Sequence, residues 1–430
     1  MEKTTWTGYI QKEFPKIDKN LDCDVLVIGG GICGILCAYY LKKSGKKVVI
    51  LERDKICNKK TLKTTATITA IEDLMYYELI NDIGFDNTKL YLEANLFAIE
   101  EYRKLAKEID FDFEECSSFK YSKDNSKEIE LEAETINKLG YECHLKDKLD
   151  FPLNVAKVLE FKNQAQMNPL KLVNALIEEL EIYENSRVIK IGKNVAYTKE
   201  YSVSFNNVIV ASGFPFLKFK GMYFMKMHQK KSHVVEISNE FDFKGNFVGT
   251  HYDDIYVRNY KGMLLIGSTD IKTGYDCLGF KKVNEFIDEK FENKNIKNKW
   301  INIDCMTLDG LPYIGRYCKR SNNMFVATGF NMWGMTKSIL SAHIIRDLIN
   351  GKDNKFELLF SPSRKMKKKP LLSNLWTSTK SLLRFGKKRC KHLGCALHYN
   401  HIDKTYECRC HGSKYDENGN VIETPTQKNL

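Results

Sequence analysis

The segment 24–52 constrains the fold more than any other part of this sequence. It opens with a short apolar run rich in β-branched residues, Asp24–Ile28, which predicts a buried strand. Glycines follow at G-x-G-x-x-G spacing, and apolar residues then recur at helical intervals. A second apolar run, Val48–Leu51, ends at an acidic residue, Glu52. The order of these features predicts a β-α-β unit with a glycine-rich first turn.

Each part of this unit suits the binding of a dinucleotide. Gly29 permits the tight turn, Gly31 lets the backbone approach a pyrophosphate, and Gly34 lets the helix pack closely on the strand. The helix N-terminus offers free N–H groups to the phosphates, and Glu52 can accept hydrogen bonds from ribose hydroxyls. A glycine-rich turn in another kind of α/β protein is the alternative. The agreement among strand, turn, helix and acid favours the dinucleotide.

Length and composition limit the class of protein. A chain of 430 residues can hold two or three domains, and 43% hydrophobic with 28% charged residues is ordinary for a soluble protein. No apolar run approaches the length of a membrane span, and the N-terminal residues lack the order of a signal peptide. We therefore expect a cytoplasmic protein without a transmembrane segment.

The net charge of +12 is concentrated in one segment. Residues 362–389 carry ten Lys and Arg and no acidic residue, with leucines and Trp376 between the lysine clusters. We expect a solvated tether with one docking helix, and peripheral contact with an anionic membrane is the alternative. Because the charge does not belong to a folded domain, we expect no nucleic-acid partner. A nucleic-acid or membrane binder with vestigial cofactor domains would instead show binding that weakens steeply with salt.

Later segments return to the nucleotide-binding sheet. The strand Val208–Ala211 ends in small residues, which bring backbone close to a ligand. Residues 324–351 predict a strand, a glycine-containing turn and a long helix, and Gly329 and Gly334 permit close backbone approach at the helix start. Residues 216–302 instead alternate with the period of two that is typical of an antiparallel sheet.

These motifs resemble the glycine-oxidase and D-amino-acid-oxidase class of FAD-dependent oxidoreductases. The resemblance rests on VIGGGICG with Glu52, on VIVASG, and on DGLPYIG followed by ATGFNMWGMT. It implies that FAD is bound by Gly29, Gly31, Gly34 and Glu52, with Gly329 and Thr336 near the flavin. No second G-x-G-x-x-G occurs, so the two-dinucleotide architecture of NAD(P)H-dependent disulfide reductases is not supported.

The last 41 residues contain four of the thirteen cysteines. They form two ligand-like pairs, Cys390-x-His392 and Cys408-x-x-His411. Two thiolates and two imidazoles are what a Rieske [2Fe-2S] centre needs, since thiolates hold one iron and imidazoles the other. A tetrahedral zinc site is the alternative. The glycines beside each pair and the hydroxyl of Ser413 are not zinc requirements, and they favour the iron-sulfur centre.

This tail resembles Rieske proteins. The resemblance implies that Cys390, His392, Cys408 and His411 are the cluster ligands and that Cys395 and Cys410 form a disulfide that clamps the two loops. A usual Rieske domain has several strands before its first ligand, whereas here only the basic linker precedes it. We therefore expect a minimal module that leans on the flavoprotein body.

The predicted fold class is α/β with an α+β substrate domain. A Rossmann-like FAD-binding domain carries an inserted antiparallel-sheet substrate domain, and a small all-β Rieske-type module follows at the C-terminus. The expected boundaries are 1–72, 166–214 and 306–352 for the FAD-binding domain, 73–165 and 215–305 for the substrate domain, 353–389 for the basic linker and 390–430 for the Rieske module.

The two cofactors together predict the function. We expect a dehydrogenase-like enzyme that oxidises a small amine or amino-acid-like substrate, or runs in reverse, and passes electrons singly through the cluster to an external carrier. A flavin and iron-sulfur electron-transfer or redox-sensing protein without small-molecule turnover is the alternative.

Arg258 is the candidate for pairing with a substrate carboxylate, as an arginine commonly does in the resembling family. A structural, salt-bridged arginine is the alternative. Four neighbouring side chains are further candidates: Tyr256, Tyr260, His251 and His233.

Overall fold

The computed structural model describes residues 3–430 apart from 125, 218, 239–242, 251–253, 276–277, 293–294, 367 and 385–387. The strands are β1 (Leu21–Ile28), β2 (Val48–Leu51), β3 (Thr67–Ile68), β4 (Glu114–Ser122), β5 (His144–Lys146), β6 (Lys157–Gln166), β7 (Glu181–Tyr183), β8 (Lys190–Ile191), β9 (Val195–Tyr197), β10 (Ser202–Val210), β11 (Met227–Ser238), β12 (Asn246–Gly249), β13 (Ile255–Tyr260), β14 (Met263–Lys272), β15 (Asn295–Thr307), β16 (Tyr313–Arg316), β17 (Met324–Thr328), β18 (Leu397–Asn400), β19 (Thr405–Cys408), β20 (Lys414–Tyr415) and β21 (Val421–Glu423).

The helices lie between these strands and after them. They are α1 (Ile32–Lys43), α2 (Lys60–Lys63), α3 (Tyr76–Ile83), α4 (Phe85–Ala106), α5 (Lys127–Lys138), α6 (Pro169–Leu176), α7 (Tyr223–Lys226), α8 (Lys281–Lys290), α9 (Gly334–Ile349), α10 (Glu357–Phe360) and α11 (Lys368–Leu382). Two single 3-10 turns occur at Ile177–Glu179 and Lys220–Met222.

The first sheet is the nucleotide-binding sheet that the sequence predicts. Its main strand order is β16-β17-β10-β1-β2-β7, in which all neighbours are parallel except β16 with β17. The short strands β8 and β9 extend it, with β9 antiparallel to β10 and β8 antiparallel to β9. The central strands are almost entirely Val, Ile and Leu because helices cover them, and α1 and α9 pack against each other. The strands therefore end together at one edge, above the glycine-rich turn.

The second sheet carries the substrate domain. Its order is β15-β11-β14-β13-β12-β4-β6-β3, with β5 beside β6, and the pairs are antiparallel except β12 with β4. The predicted α/β class with an inserted antiparallel sheet is confirmed. The short strand β3, which lies within the segment 1–72 assigned to the FAD-binding domain, pairs with β6 of this second sheet.

The C-terminal module is a four-stranded antiparallel sheet in the order β18-β19-β20-β21. Its core is built from the four cysteines together with Leu397 and Tyr415. So few apolar residues make a very small core. A module of this size gains much of its stability from what it binds and from what it packs against.

The basic linker contains the docking helix α11. Asn374 on this helix is buried and donates to the carbonyl oxygens of Phe224 and Met225, the latter at 3.0 Å. Leu372 and Trp376 are 64% and 70% exposed on the same helix. The helix thus docks through a polar side chain and leaves apolar ones outside, and membrane contact through 362–389 stays a prediction. Across the described ranges, no helix is both long and apolar enough to span a bilayer.

Candidate functional site

The glycine-rich turn is shaped by backbone packing at two positions and by open space at a third. Gly29 has φ +115°, and a Cβ there would lie 2.6 Å from the carbonyl oxygen of Ala211. A Cβ on Gly34 would collide with the carbonyl oxygen of Gly29. A Cβ on Gly31 would meet only Thr61 Oγ1, at 3.5 Å. Gly29 and Gly34 are therefore required by the fold, whereas Gly31 faces a space that a phosphate group can enter.

Glu52 lies at the end of β2 beside this turn. Its carboxylate accepts hydrogen bonds from the backbone N–H groups of Gly30, at 2.7 Å, and Asp54, at 2.9 Å. Burial raises the pKa of Glu52 above its usual value, and the two N–H donors oppose that rise. The side chain is thus fixed at the cleft, where the sequence predicts contact with a ribose.

A cleft opens at the carboxyl ends of β1, β2, β10 and β17, the position at which open α/β sheets bind their ligands. Gly29, Gly31, Glu52 and Gly329 line it. Thr336 does not, because its hydroxyl group is bonded to the backbone N–H and carbonyl of Thr69. The open space before Gly31 and the run of N–H groups at the start of α1 fit the pyrophosphate of FAD.

A second cavity of about 300 Å³ lies against the second sheet. Its wall includes the side chains of β13 and the loop before α3. Five residues line both this cavity and the cofactor cleft, namely Thr64, Asn302, Asp304, Met332 and Met335. The two spaces therefore adjoin, which is what an enzyme needs when a substrate must meet a cofactor.

Arg258 lines the second cavity, but its N–H groups are occupied by the backbone. The guanidinium donates to the carbonyl oxygens of Thr65, Ala66 (2.9 Å), Met167 (2.9 Å) and Asn259 (3.4 Å). An arginine has five N–H donors in all. These four hydrogen bonds fix the guanidinium to the chain and favour the structural alternative, and the pairing of Arg258 with a substrate carboxylate stays a prediction.

The other candidates near Arg258 are spread apart. Tyr256 lines the second cavity. Tyr260 instead donates to Asp112 Oδ2 at 2.6 Å, and the buried His233 lies 3.8 Å from Asp403 Oδ1 in the C-terminal module. His251 lies outside the residues that the structure describes.

The proposed cluster ligands come together in the C-terminal module. Cys390, His392, Cys408 and His411 are all buried, and the two imidazole rings are 5.1 Å apart and nearly perpendicular. Both ring nitrogens of His411 are buried with no hydrogen-bond partner within the described ranges. An orphaned imidazole beside buried thiols fits metal ligation, because a buried polar atom otherwise needs a partner.

Cys395 and Cys410 surround this group. Their Sγ atoms and that of Cys408 lie within 4.8 Å of one another. Over the described part of the chain every cysteine is a free thiol, so the disulfide that the resemblance implies is not formed in the structure. The sulfur atoms are near neighbours, but they are not bonded.

Sequence reasoning missed four residues of these sites. Lys60, Asp304 and Glu423 line the cofactor cleft, although the sequence separates them by hundreds of residues. Tyr415 donates from its hydroxyl group to Cys390 Sγ at 3.5 Å. Of these four residues, only Tyr415 could have been found from the sequence, because it lies four residues after His411 of the second ligand pair.

Comparisons with known proteins agree with both sites. The family model described as FAD dependent oxidoreductase (DAO) matches residues 24–348, and that of the Rieske [2Fe-2S] domain matches residues 364–430. The chain is 29% identical to the Rieske 2Fe-2S iron-sulfur protein YhfW of Bacillus subtilis (strain 168), over 100% of this chain and 97% of that protein.

Two further similarities concern the flavoprotein part and the Rieske module separately. The crystal structure of glycine oxidase from Geobacillus kaustophilus has 18% identity and a TM-score of 0.69, and the match covers 81% of this chain and 100% of that one. The cytochrome b6-f complex iron-sulfur subunit 2 of Trichormus variabilis is 44% identical over 41 residues, which are 10% of this chain and 23% of that protein.

Proposed function

Because the chain belongs to the family of FAD-dependent oxidoreductases and carries a Rieske [2Fe-2S] domain, we propose that it oxidises a small amine or amino-acid-like substrate, or runs in reverse. The electrons then pass singly through the cluster to an external one-electron carrier. When bound, FAD supplies two-electron chemistry and the cluster supplies one-electron transfer.

The residues that would hold each group follow from their positions. For FAD they are Gly29, Gly31, Glu52 and Gly329, which line the cleft, and Gly34 supports the site by letting α1 pack against the turn. For the cluster they are Cys390, His392, Cys408 and His411.

One observation carries this proposal. The cofactor cleft is lined both by residues shared with the second cavity and by Glu423, Thr424 and Gln427 of the C-terminal module. The hydroxyl of Thr426, in the same segment, bonds to that of Tyr415 at 2.9 Å, and Tyr415 contacts the ligand Cys390. The cleft thus touches the substrate cavity and the cluster module at once, an arrangement that suits a relay.

The second cavity is the substrate cavity of this proposal, and its wall favours an amine over an amino acid. Its described acidic side chains outnumber its basic ones, since the acids are Asp73, Glu78, Glu128, Asp254 and Asp304 and the bases are Lys63 and Arg258. Arg258 is already bonded to four carbonyl groups. Two of the acids are already paired with lysines, since Lys120 Nζ lies 3.4 Å from Asp73 Oδ1 and Lys123 Nζ lies 3.1 Å from Asp254 Oδ1. The other three acids attract an ammonium group and repel a free carboxylate.

The first experiment mixes the protein with substrates under anaerobic conditions. We expect alkyl amines and diamines to bleach the flavin absorption more readily than the amino acids of matched length. The EPR signal of the reduced cluster should appear as the flavin is reduced. If no amine or amino acid reduces the flavin, the protein is an electron-transfer or redox-sensing module without turnover.

The relay is tested by removing one cluster ligand. With FAD saturating, Cys408→Ser should lose the cluster, retain substrate-dependent bleaching of the flavin, and lose substrate-dependent reduction of a one-electron acceptor such as ferricyanide or cytochrome c. Cys318→Ser, at a half-buried thiol in the body, is the matched control and should behave like the wild type. A Cys408→Ser protein that reduces the acceptors at the wild-type rate would contradict the relay.

A further inference from the structure

The end of the Rieske module forms part of the wall of the cofactor cleft. Residues 423–427 begin with the last residue of β21, and we call them the C-terminal segment. Glu423, Thr424 and Gln427 line the same cleft as Gly29 and Gly31. The nucleotide-binding domain supplies a second wall with Gly29, Gly31 and Lys60, so the cleft is a composite of both parts of the chain.

An ion pair joins the two walls. Lys60 Nζ lies 3.2 Å from Glu423 Oε1, and both side chains are largely buried. Burial opposes the charge on Lys60, but the nearby carboxylate of Glu423 raises the pKa of the lysine above its usual value. Burial likewise opposes the charge on Glu423, yet Lys60, Lys59 and Arg53 hold the pKa of that carboxyl group low. Both groups are charged at neutral pH, and each needs the other in place.

Two further hydrogen bonds fix the C-terminal segment to the body. Gln229 Nε2, on β11, donates to the carbonyl oxygen of Thr424 at 2.7 Å. Arg187 Nη2 donates to the carbonyl oxygen of Gln427. The segment is therefore tied to the second sheet on one side and to the edge of the nucleotide-binding domain on the other.

The module is anchored away from the cleft by a buried cluster of charges. Lys231, which is 0% exposed, lies 2.9 Å from Asp403 Oδ2 and 3.1 Å from Glu407 Oε1. Lys414 of the module lies 3.1 Å from the same oxygen of Asp403. None of these four residues lines the cofactor cleft. The anchor can thus be perturbed without touching the FAD site.

We propose that the C-terminal segment of the Rieske module completes the FAD site, so that FAD binding and docking of the module stabilise each other. Two walls held together by Lys60 and Glu423 enclose the cofactor only when the module is docked. By thermodynamic linkage, whatever releases the module must weaken FAD binding, and removing FAD must loosen the segment by the same factor. The claim concerns binding alone and does not depend on the substrate or on turnover.

The decisive experiment uses the wild-type chain with and without FAD. Hydrogen–deuterium exchange should be faster at residues 421–427 in FAD-stripped protein than in FAD-loaded protein. Helix α5, which contributes no residue to the cofactor cleft, is the internal reference and should exchange equally in both. Equal exchange at 421–427 with and without FAD would overturn the proposal.

The reciprocal effect is measured on Lys231→Met. This change leaves two buried carboxylates with one lysine fewer, so the docked state should be disfavoured. We expect the Kd for FAD, from fluorescence quenching, to rise by about tenfold or more. Lys281→Met, which removes an exposed lysine paired with Glu285 on α8, should leave it unchanged.

The outcomes separate linkage from simple misfolding. Faster exchange at 421–427 in Lys231→Met together with an unchanged Kd for FAD would refute the coupling. Should Lys231→Met fail to fold, Asp403→Asn weakens the same anchor with a smaller change. Wild-type exchange still decides the question in every case.

Discussion

Arg258 provides a direct test of how the substrate cavity is built. Replacing it with lysine keeps the positive charge and removes the planar fork that reaches the carbonyl groups of Thr65, Ala66 and Met167. A lysine ammonium is a compact donor, and we expect it to retain one or two of these bonds. Each buried carbonyl left without a donor costs about 1–3 kcal/mol. One or two carbonyl groups then lose their donor, so the expected loss of stability for Arg258→Lys is about 1–6 kcal/mol.

The loss can be read from a thermal melt. Unfolding entropy is about 2.1 cal/mol/K per residue, which for a chain of 430 residues is about 0.9 kcal/mol/K. The Tm of Arg258→Lys should thus fall by about 1–7 °C when FAD is saturating. Arg316→Lys is the matched control, because Arg316 is exposed and donates to the single carbonyl of Asn322 at 2.7 Å. Its effect should stay within about 0.5 kcal/mol.

Kinetics decide between a structural and a recognition role. Arg258→Lys should change KM for amines and for amino acids to a similar, small extent. The reasoning is refuted if the variant melts like the wild type while KM rises tenfold or more for amino acids alone. That pattern would mean that the guanidinium contacts the substrate carboxylate.

Other sites give sharper contrasts. Gly34→Ala should not fold, because the added Cβ meets the carbonyl oxygen of Gly29. Gly31→Ala should give the circular dichroism spectrum of the folded protein but copurify with less FAD. If Gly31→Ala contains as much FAD as the wild type, the assignment of the cleft to FAD is contradicted. Tyr415→Phe should lower the reduction potential of the cluster by removing a donor to Cys390 Sγ, and Tyr399→Phe, which loses only a surface bond to Glu417, should leave the potential unchanged. Burial opposes the charge on Glu101, but His343 and Lys104 lower the pKa of its carboxyl group to about 2. The ionised carboxylate therefore stabilises the fold fully above the usual pKa of 4.5, and this stabilisation is lost as the pH falls towards 2. Urea unfolding of Glu101→Gln should therefore depend less on pH over that interval than unfolding of the wild type.

Features set by local chemistry could be predicted from the sequence. The turn at 29–34 needs glycine for reasons contained within a few residues and one neighbouring strand, and the structure places it as the spacing predicts. The proposed cluster ligands come from two short spacings in the same way, and they stay a prediction. The α/β class follows from the order of strands and helices, because a β-α-β unit admits few topologies.

Features set by distant partners could not be predicted. Arg258 meets carbonyl groups of residues 65 and 66, which lie about 190 positions earlier, and no pattern around DIYVRNY reveals them. Helix α11 buries Asn374 because the side chain donates to the carbonyl oxygens of residues 224 and 225. The leucines and the tryptophan of the helix would instead suggest that its apolar face is the buried one. The pair of Lys60 and Glu423 spans 363 positions. Composite walls of this kind are visible only in three dimensions.

Asp304 should make the affinity for a cationic substrate depend on pH, and this dependence can be measured. Burial raises the pKa of its carboxyl group to about 6, with the positive charge of Lys60 opposing the rise and the carboxylate of Glu423 adding to it. The thiol of Cys305 beside it is buried, its pKa is raised to about 12, and it stays neutral in this range. Asp304 lines both the cofactor cleft and the substrate cavity.

The raised pKa of Asp304 fixes the direction in which amine affinity changes with pH. Below pH 6 Asp304 is protonated and neutral, and above it a carboxylate faces the cavity, so affinity for a cationic amine should rise as the pH increases through about 6. KM for amines should therefore fall across that range in the wild type, and Asp304→Asn should give a higher, flat KM. Asp73→Asn, at a half-exposed acid on the same wall, should raise KM without changing the pH at which it falls. A wild-type KM that rises with pH through 6 would mean that the substrate carries negative charge, and the acidic wall would then have to act against it.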